Sequence, residues 1–173
     1  VEVGLTSQSQ QPNESGTPDS PQAVKPTQVA EPLEGKRVLL AEDGPDNQRL
    51  ISFYLRKAGA TVCVVSDGKE ALEAMTSDGT IDGPLLSPLP YDLIISDMLM
   101  PNIDGYLFAQ MLRAKGFQEP ILALTANTMQ GDKEKCLEAG CTHFASKPVD
   151  RNKLIQLCVE ASESAHARSA SSI

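Results

Sequence analysis

The sequence predicts an α/β fold in which a doubly wound parallel sheet is built from five strand–helix units. Three observations carry that prediction. Short apolar runs recur along the chain, segments with helical spacing lie between them, and Gly, Pro and Asp punctuate the joins. Such alternation, with strands apolar along most of their length, suits a sheet covered by helices on both faces.

The apolar runs fall at residues 37–41 (RVLLA), 61–65 (TVCVV), 92–96 (DLIIS), 121–125 (ILALT) and 142–146 (THFAS). After the first, Leu50, Phe53 and Tyr54 recur at helical spacing up to a stop at Gly59. Ala71, Leu72 and Met75 mark the second helix. Leu107, Phe108, Met111 and Leu112 mark the third, closed by Gly116. Cys136, Leu137 and Gly140 end the fourth, and Asp150 opens the fifth, whose apolar face uses Leu154, Ile155, Leu157 and Cys158. One connection is irregular. Residues 77–90 (SDGTIDGPLLSPLP) exceed the usual 2–6 residues, and their prolines and two Asp-Gly pairs predict a surface insertion without helix.

At 173 residues and 40% hydrophobic content, the chain suits one well-buried domain with tails. Residues 1–35 are rich in Gln, Ser, Thr and Pro and hold Glu2, Glu14, Asp19, Glu31 and Glu34 against Lys25, which is half the net charge of −8. Such a stretch cannot bury enough surface to offset its ordering entropy and reads as a disordered linker. The domain then spans residues 36–160, and 161–173, rich in Ala and Ser, read as a frayed helix end and tail. No basic stripe interleaved with aromatics supports nucleic-acid binding. Cys63, Cys136, Cys141 and Cys158 form no Cys-x-x-Cys pair and read as reduced thiols, which fits a cytoplasmic setting. No apolar run approaches the ~20 residues of a membrane span. The expectation is a piece that makes no membrane contact itself, whether or not a parent protein is anchored.

In an open parallel sheet, ligands bind beyond the carboxyl ends of the strands. Those ends supply Glu42 and Asp43, then Asp97, Thr125 and Lys147. Taken singly, each has a plain structural reading: Asp43 or Asp46 could cap the first helix. Together they bring three carboxylates, a hydroxyl and an ammonium to one edge. Clustered carboxylates repel unless a cation neutralises them, and a hard divalent ion such as Mg²⁺ accepts such oxygens while leaving room for phosphate. Lys147 adds a second positive charge, so the edge is built to receive an anion.

The blocks VLLAEDGPDNQRL, YDLIISDMLMPNIDGY, PILALTA and GCTHFASKP occur in order over residues 36–160, and with them the chain resembles a response-regulator receiver domain. The resemblance implies a flavodoxin-like (βα)5 fold of strand order 2-1-3-4-5. It implies that Asp97 is the phosphoacceptor and that Asp43, Asp97 and the Leu99 carbonyl ligate Mg²⁺, with Glu42 acting partly through water. Thr125 would hydrogen-bond the phosphoryl group and Lys147 would ion-pair with it. Phe144 matches an aromatic switch position, or else fills core. Leu99 and Asn127 match positions that tune the lifetime of the aspartyl phosphate. A cis bond before Pro148 is also implied, at the modest cost that Xaa-Pro allows.

The implied donor is a phosphohistidine on a histidine kinase dimerisation domain or a histidine phosphotransfer domain, docking where the first helix meets the site. The polar linker favours the receiver of a hybrid sensor histidine kinase over a stand-alone regulator. An aspartate-dependent phosphohydrolase also uses a strand-end Asp with Mg²⁺, but its second acid would stand where Leu99 does. A binding module that had lost phosphorylation would lack one of the acids, Thr125 or Lys147.

Overall fold

The computed structural model describes residues 31–127 and 129–171. Residues 1–30, on which the linker reading mainly rests, lie outside the described residues. In chain order the elements are β1 (Arg37–Ala41), α1 (Pro45–Lys57), β2 (Thr61–Val65), α2 (Gly68–Met75), β3 (Leu93–Asp97), α3 (Gly105–Ala114), β4 (Ile121–Thr125), α4 (Gln130–Ala139), β5 (His143–Ser146) and α5 (Arg151–Ala170). The strands form one parallel sheet of order β2-β1-β3-β4-β5. Five strand–helix units and this order match the sequence expectation. β3 ends one residue later than the apolar run suggests, which makes Asp97 its last residue, and β5 begins one residue later.

Alternation along the strands sorts the core into two layers. Val38, Leu40, Leu93, Ile95, Leu122 and Leu124 face α1 and α5, where Ile51, Leu55, Leu154, Cys158 and Ala161 meet them. Leu39, Ala41, Ile94, Ile121 and Ala123 face α2, α3 and α4, where Leu72, Met75, Phe108, Leu112 and Cys136 meet them. Asp67, Asp104 and Asp150 each accept a backbone N–H three residues on, capping α2, α3 and α5. α1 starts instead at Gly44 with Pro45 in its first turn, so neither Asp43 nor Asp46 caps it. Gly140, at φ 105, closes α4 in the left-handed region.

Several sequence expectations shift. Leu50 and Phe53 point outward, 42% and 54% exposed, and α1 buries Ile51, Ser52 and Leu55. Leu107 and Leu137 are also exposed. α5 continues to Ala170 with Ala161 and Ser162 buried, so its packing passes residue 160. Leu33, inside the stretch read as linker, is buried, and its N–H donates to the Ala58 carbonyl at the end of α1. Residues 77–90 contain no helix; they turn back through a bridge between Thr76 and Leu85 and lay Ile81, Leu85 and Leu89 against the core. The Lys147–Pro148 bond is cis, as the resemblance implied. Among the described residues no helix is long and apolar enough to cross a membrane.

Candidate functional site

β1, β3, β4 and β5 run parallel, so their carboxyl ends share one edge of the sheet. Glu42 follows β1 and is 1% exposed. Its N–H donates to the Val65 carbonyl (3.1 Å), and its own carbonyl accepts the Gln48 amide (2.6 Å). Oε1 of Glu42 accepts from Gly44 N–H (3.0 Å) and from the Asn47 amide (3.3 Å). These bonds fix the side chain and direct Oε2 to within 2.9 Å of Lys147 Nζ. That ion pair lacks hydrogen-bond geometry, and Oε2 remains a buried oxygen without a hydrogen bond.

Asp97 ends β3 and is 5% exposed. Its Oδ1 accepts the Leu99 N–H (3.0 Å) and its Oδ2 accepts from Lys147 Nζ (2.6 Å). The backbone of Lys147 is tied to the same edge, with its N–H donating to the Thr125 carbonyl (2.8 Å). Burial pulls the Lys147 ammonium toward neutrality, but the bond to Asp97, the contact with Glu42 and both their charges outweigh it and raise its pKa. The charged form is therefore the one the site holds.

Glu42, Asp43 and Asp97 bring one carboxylate oxygen each within 4.8 Å of one another. One ammonium cannot neutralise three carboxylates, and an orphaned buried oxygen belongs to this group. The donors are all hard oxygens, and Asp43 is exposed. Together these features fit a hard divalent cation that keeps several waters.

Thr125 ends β4, and its hydroxyl is committed to its own loop. It donates to the Asn127 carbonyl (2.6 Å) and accepts the Asn127 N–H (3.1 Å). Among the described residues it makes no side-chain hydrogen bond to Asp97 or Lys147. Asn127 and Leu99 flank the site exposed, Leu99 at 68%. Phe144 is half-buried on β5 against the α2–α4 layer, with Lys133 Nζ 5.1 Å from its ring centre. The structure thus gathers Glu42, Asp43, Asp97 and Lys147 at one point, with Thr125 at the end of the neighbouring strand and Phe144 in the core layer beside Lys133. The orienting role of Asn47 and Gln48 has only a weak sequence signal, amide side chains five and six residues beyond Glu42.

The profile of the response regulator receiver domain matches residues 38–158. Histidine kinase 1 of Arabidopsis thaliana is 36% identical over 149 residues, covering 71% of this chain and 12% of that protein. The sensor histidine kinase RcsC of Escherichia coli K12 is 35% identical over 112 residues, covering 65% of this chain and 11% of that protein. The chain thus spans about an eighth or less of the length of these relatives. Among solved structures, the receiver domain of sensor histidine kinase PA1611 from Pseudomonas aeruginosa PAO1, with a magnesium ion coordinated in its active-site cleft, is similar at TM-score 0.63 and 36% identity, over 75% of this chain and 98% of that one. The receiver domain of histidine kinase CKI1 from Arabidopsis thaliana, complexed with Mg²⁺ and BeF3⁻, is similar at TM-score 0.62 and 28% identity, over 78% of this chain and 94% of that one.

Proposed function

This chain belongs to the response-regulator receiver-domain family, and from that premise we propose that Asp97 accepts a phosphoryl group from a phosphohistidine, with Mg²⁺ held by Glu42, Asp43, Asp97 and the Leu99 carbonyl. One observation carries the reading. The Asp97 carboxylate is shared between an ammonium at 2.6 Å, a backbone N–H at 3.0 Å and two further acids. Donors on both oxygens fix the orientation of this carboxylate at the edge of an acid cluster, as an in-line nucleophile requires.

An Asp97 oxygen attacks the phosphorus in line, the phosphorus–nitrogen bond of the donor breaks, and its imidazole leaves with the bonding pair. Bound Mg²⁺ supplies charge neutralisation for the carboxylates and the transferring oxygens. Lys147, already on Asp97 Oδ2, then pairs with the phosphoryl oxygens. Thr125 exchanges its bond to the Asn127 carbonyl for one to the phosphoryl group, drawing the β4–α4 loop inward. Each such charge-assisted bond contributes about 1.5–3 kcal/mol, the scale that separates two conformations of a switch. Phe144 follows the loop. Leu99 and Asn127, exposed on either side of Asp97, govern the access of water that hydrolyses the aspartyl phosphate.

The donor is a histidine kinase dimerisation domain or a histidine phosphotransfer domain. It docks on α1 beside the site, where Leu50 and Phe53 stand exposed among Arg49, Arg56 and Lys57. The parent is a hybrid sensor histidine kinase, and this domain works in the cytoplasm. The test is transfer from a labelled phosphohistidine domain in Mg²⁺: label passes to the chain and not to its Asp97→Asn variant. Equal labelling of the variant, or rapid turnover of generic phosphomonoesters by the chain, refutes the reading.

A further inference from the structure

Outside the charged edge, Asp67 uses its two oxygens for two different elements. Oδ1 accepts the Glu70 N–H (2.8 Å) and caps α2. One oxygen suffices for a cap. The other, Oδ2, accepts the side-chain amide of Asn102 (2.5 Å), 35 residues on in the loop that follows Asp97. The neighbouring residue repeats the link, because the Gly68 N–H donates to the Ile103 carbonyl (3.1 Å). A Cβ at position 68 would lie 2.5 Å from that carbonyl oxygen, so only glycine permits the approach. Asn102 itself sits at φ 63, a left-handed conformation that Asn tolerates better than most residues. Two special backbone positions and a carboxylate 8% exposed therefore converge on one contact between loops.

The loop tied down in this way is the one that completes the site. Its inner end gives the Leu99 N–H to Asp97 Oδ1, and it is closed by the Gly105 N–H on the Met98 carbonyl (3.2 Å). We propose that Asp67, acting through Asn102, is a positioning residue that holds residues 98–104 in the conformation the charged site needs. Burial works against the Asp67 carboxylate, yet the Glu70 N–H, the Asn102 amide and the Lys69 backbone and charge hold its pKa below the ordinary value. Asp67 thus stays an acceptor at both oxygens. Losing the second bond leaves α2 capped and leaves the outer end of the loop held by the single Gly68 N–H bond to the Ile103 carbonyl, which loosens it. The loop must then be ordered each time the site binds, which weakens binding without unfolding the domain.

The part of this inference that concerns the metal rests on the function proposed above, and the test separates the two. Asp67→Ser retains a good cap while losing the long reach, and Asn102→Gly retains the left-handed backbone while losing the amide. The pair Asp67→Asn with Asn102→Asp restores the bond with its polarity reversed. Two quantities are read in the 173-residue chain: hydrogen exchange at the Leu99 amide without metal, and Mg²⁺ affinity by NMR titration. Both single variants should exchange faster at Leu99 and bind Mg²⁺ about tenfold more weakly, the lower end of the loss seen when groups orienting a metal's ligands are removed. The reversed pair should recover both. Unchanged exchange and affinity in the two single variants would overturn the inference and leave Asp67 a helix cap. Absence of Mg²⁺ binding by the unaltered chain would instead defeat the proposed function, and Leu99 exchange would still decide the role of Asp67.

Discussion

Asp97 is defined by what its oxygens touch. An acid at a strand end with free oxygens would be a surface group, whereas this one is 5% exposed and spans Lys147 and the Leu99 N–H. Asp92, five residues earlier at the other end of the same strand, shows the contrast. It accepts the Arg37 N–H (2.8 Å) and two guanidinium donors (3.2 and 3.1 Å), a pair that ties the start of β1 to the start of β3. Burial raises the Asp92 pKa, but the Arg37 bonds and charge more than reverse this and hold it below the ordinary value. A carboxylate depressed in the folded state stabilises the fold above its unfolded pKa, about 3.9. It loses that contribution as pH falls through the lower folded value. Asp92→Asn should therefore lower the Tm at pH 7, and the difference from the unaltered chain should shrink as the pH is taken down through 4 toward 2. A constant difference across that range would contradict the ion-pair account. Both acids were visible in the sequence, but only the ends of β3 distinguish their roles. A run of apolar residues says where a strand lies and not which flanking acid meets a cation.

At the scale of elements, the strands were legible because sheets covered on both faces need apolar residues at nearly every position, as in β3 and β4, where all ten are buried. The helices were legible in place and less so in orientation. In α1 the apolar residues Leu50 and Phe53 face solvent while Ser52 is buried, its hydroxyl bonded to the Arg49 carbonyl (3.2 Å). A count of apolar residues cannot see a serine that satisfies itself within the helix. The outward Phe53, with Lys57 Nζ 5.7 Å from its ring centre, is then surface area free to meet a partner. Phe53→Ala should change unfolding free energy by no more than about 0.5 kcal/mol, as exposed substitutions do, while slowing transfer from a phosphohistidine domain. A large loss of stability with normal transfer would place Phe53 in the fold and remove α1 from the docking surface.

Across the whole molecule, the limits of the packed domain were harder to read than its centre. Leu33 lies in a polar, proline-containing stretch, and it is buried because that stretch packs back on the α1–α5 layer of the core. Ala161 and Ser162 are small residues in an Ala/Ser-rich tail, yet they are buried in α5 beyond the expected end of the domain. Small residues carry no hydrophobic signal, so close packing of a helix on a sheet is invisible in them. Leu33→Ala should cost about 2–5 kcal/mol in urea unfolding, the usual range for a buried leucine; a cost near zero would return Leu33 to the linker. The charged edge was the most legible part, because four strands of one sheet must end together and their polar terminal residues must therefore meet. The Asp67–Asn102 tie is not legible in the sequence, since its partners belong to separate loops and each has a local explanation as cap or turn. Every role proposed for the charged edge turns on Asp97, and phosphoryl stoichiometry after incubation with acetyl phosphate tests that acid most directly. With Mg²⁺ the chain should take up a single acid-stable, base-labile phosphoryl group, and neither Asp97→Asn nor a Mg²⁺-free sample should take up any; label retained in Asp97→Asn would contradict those roles.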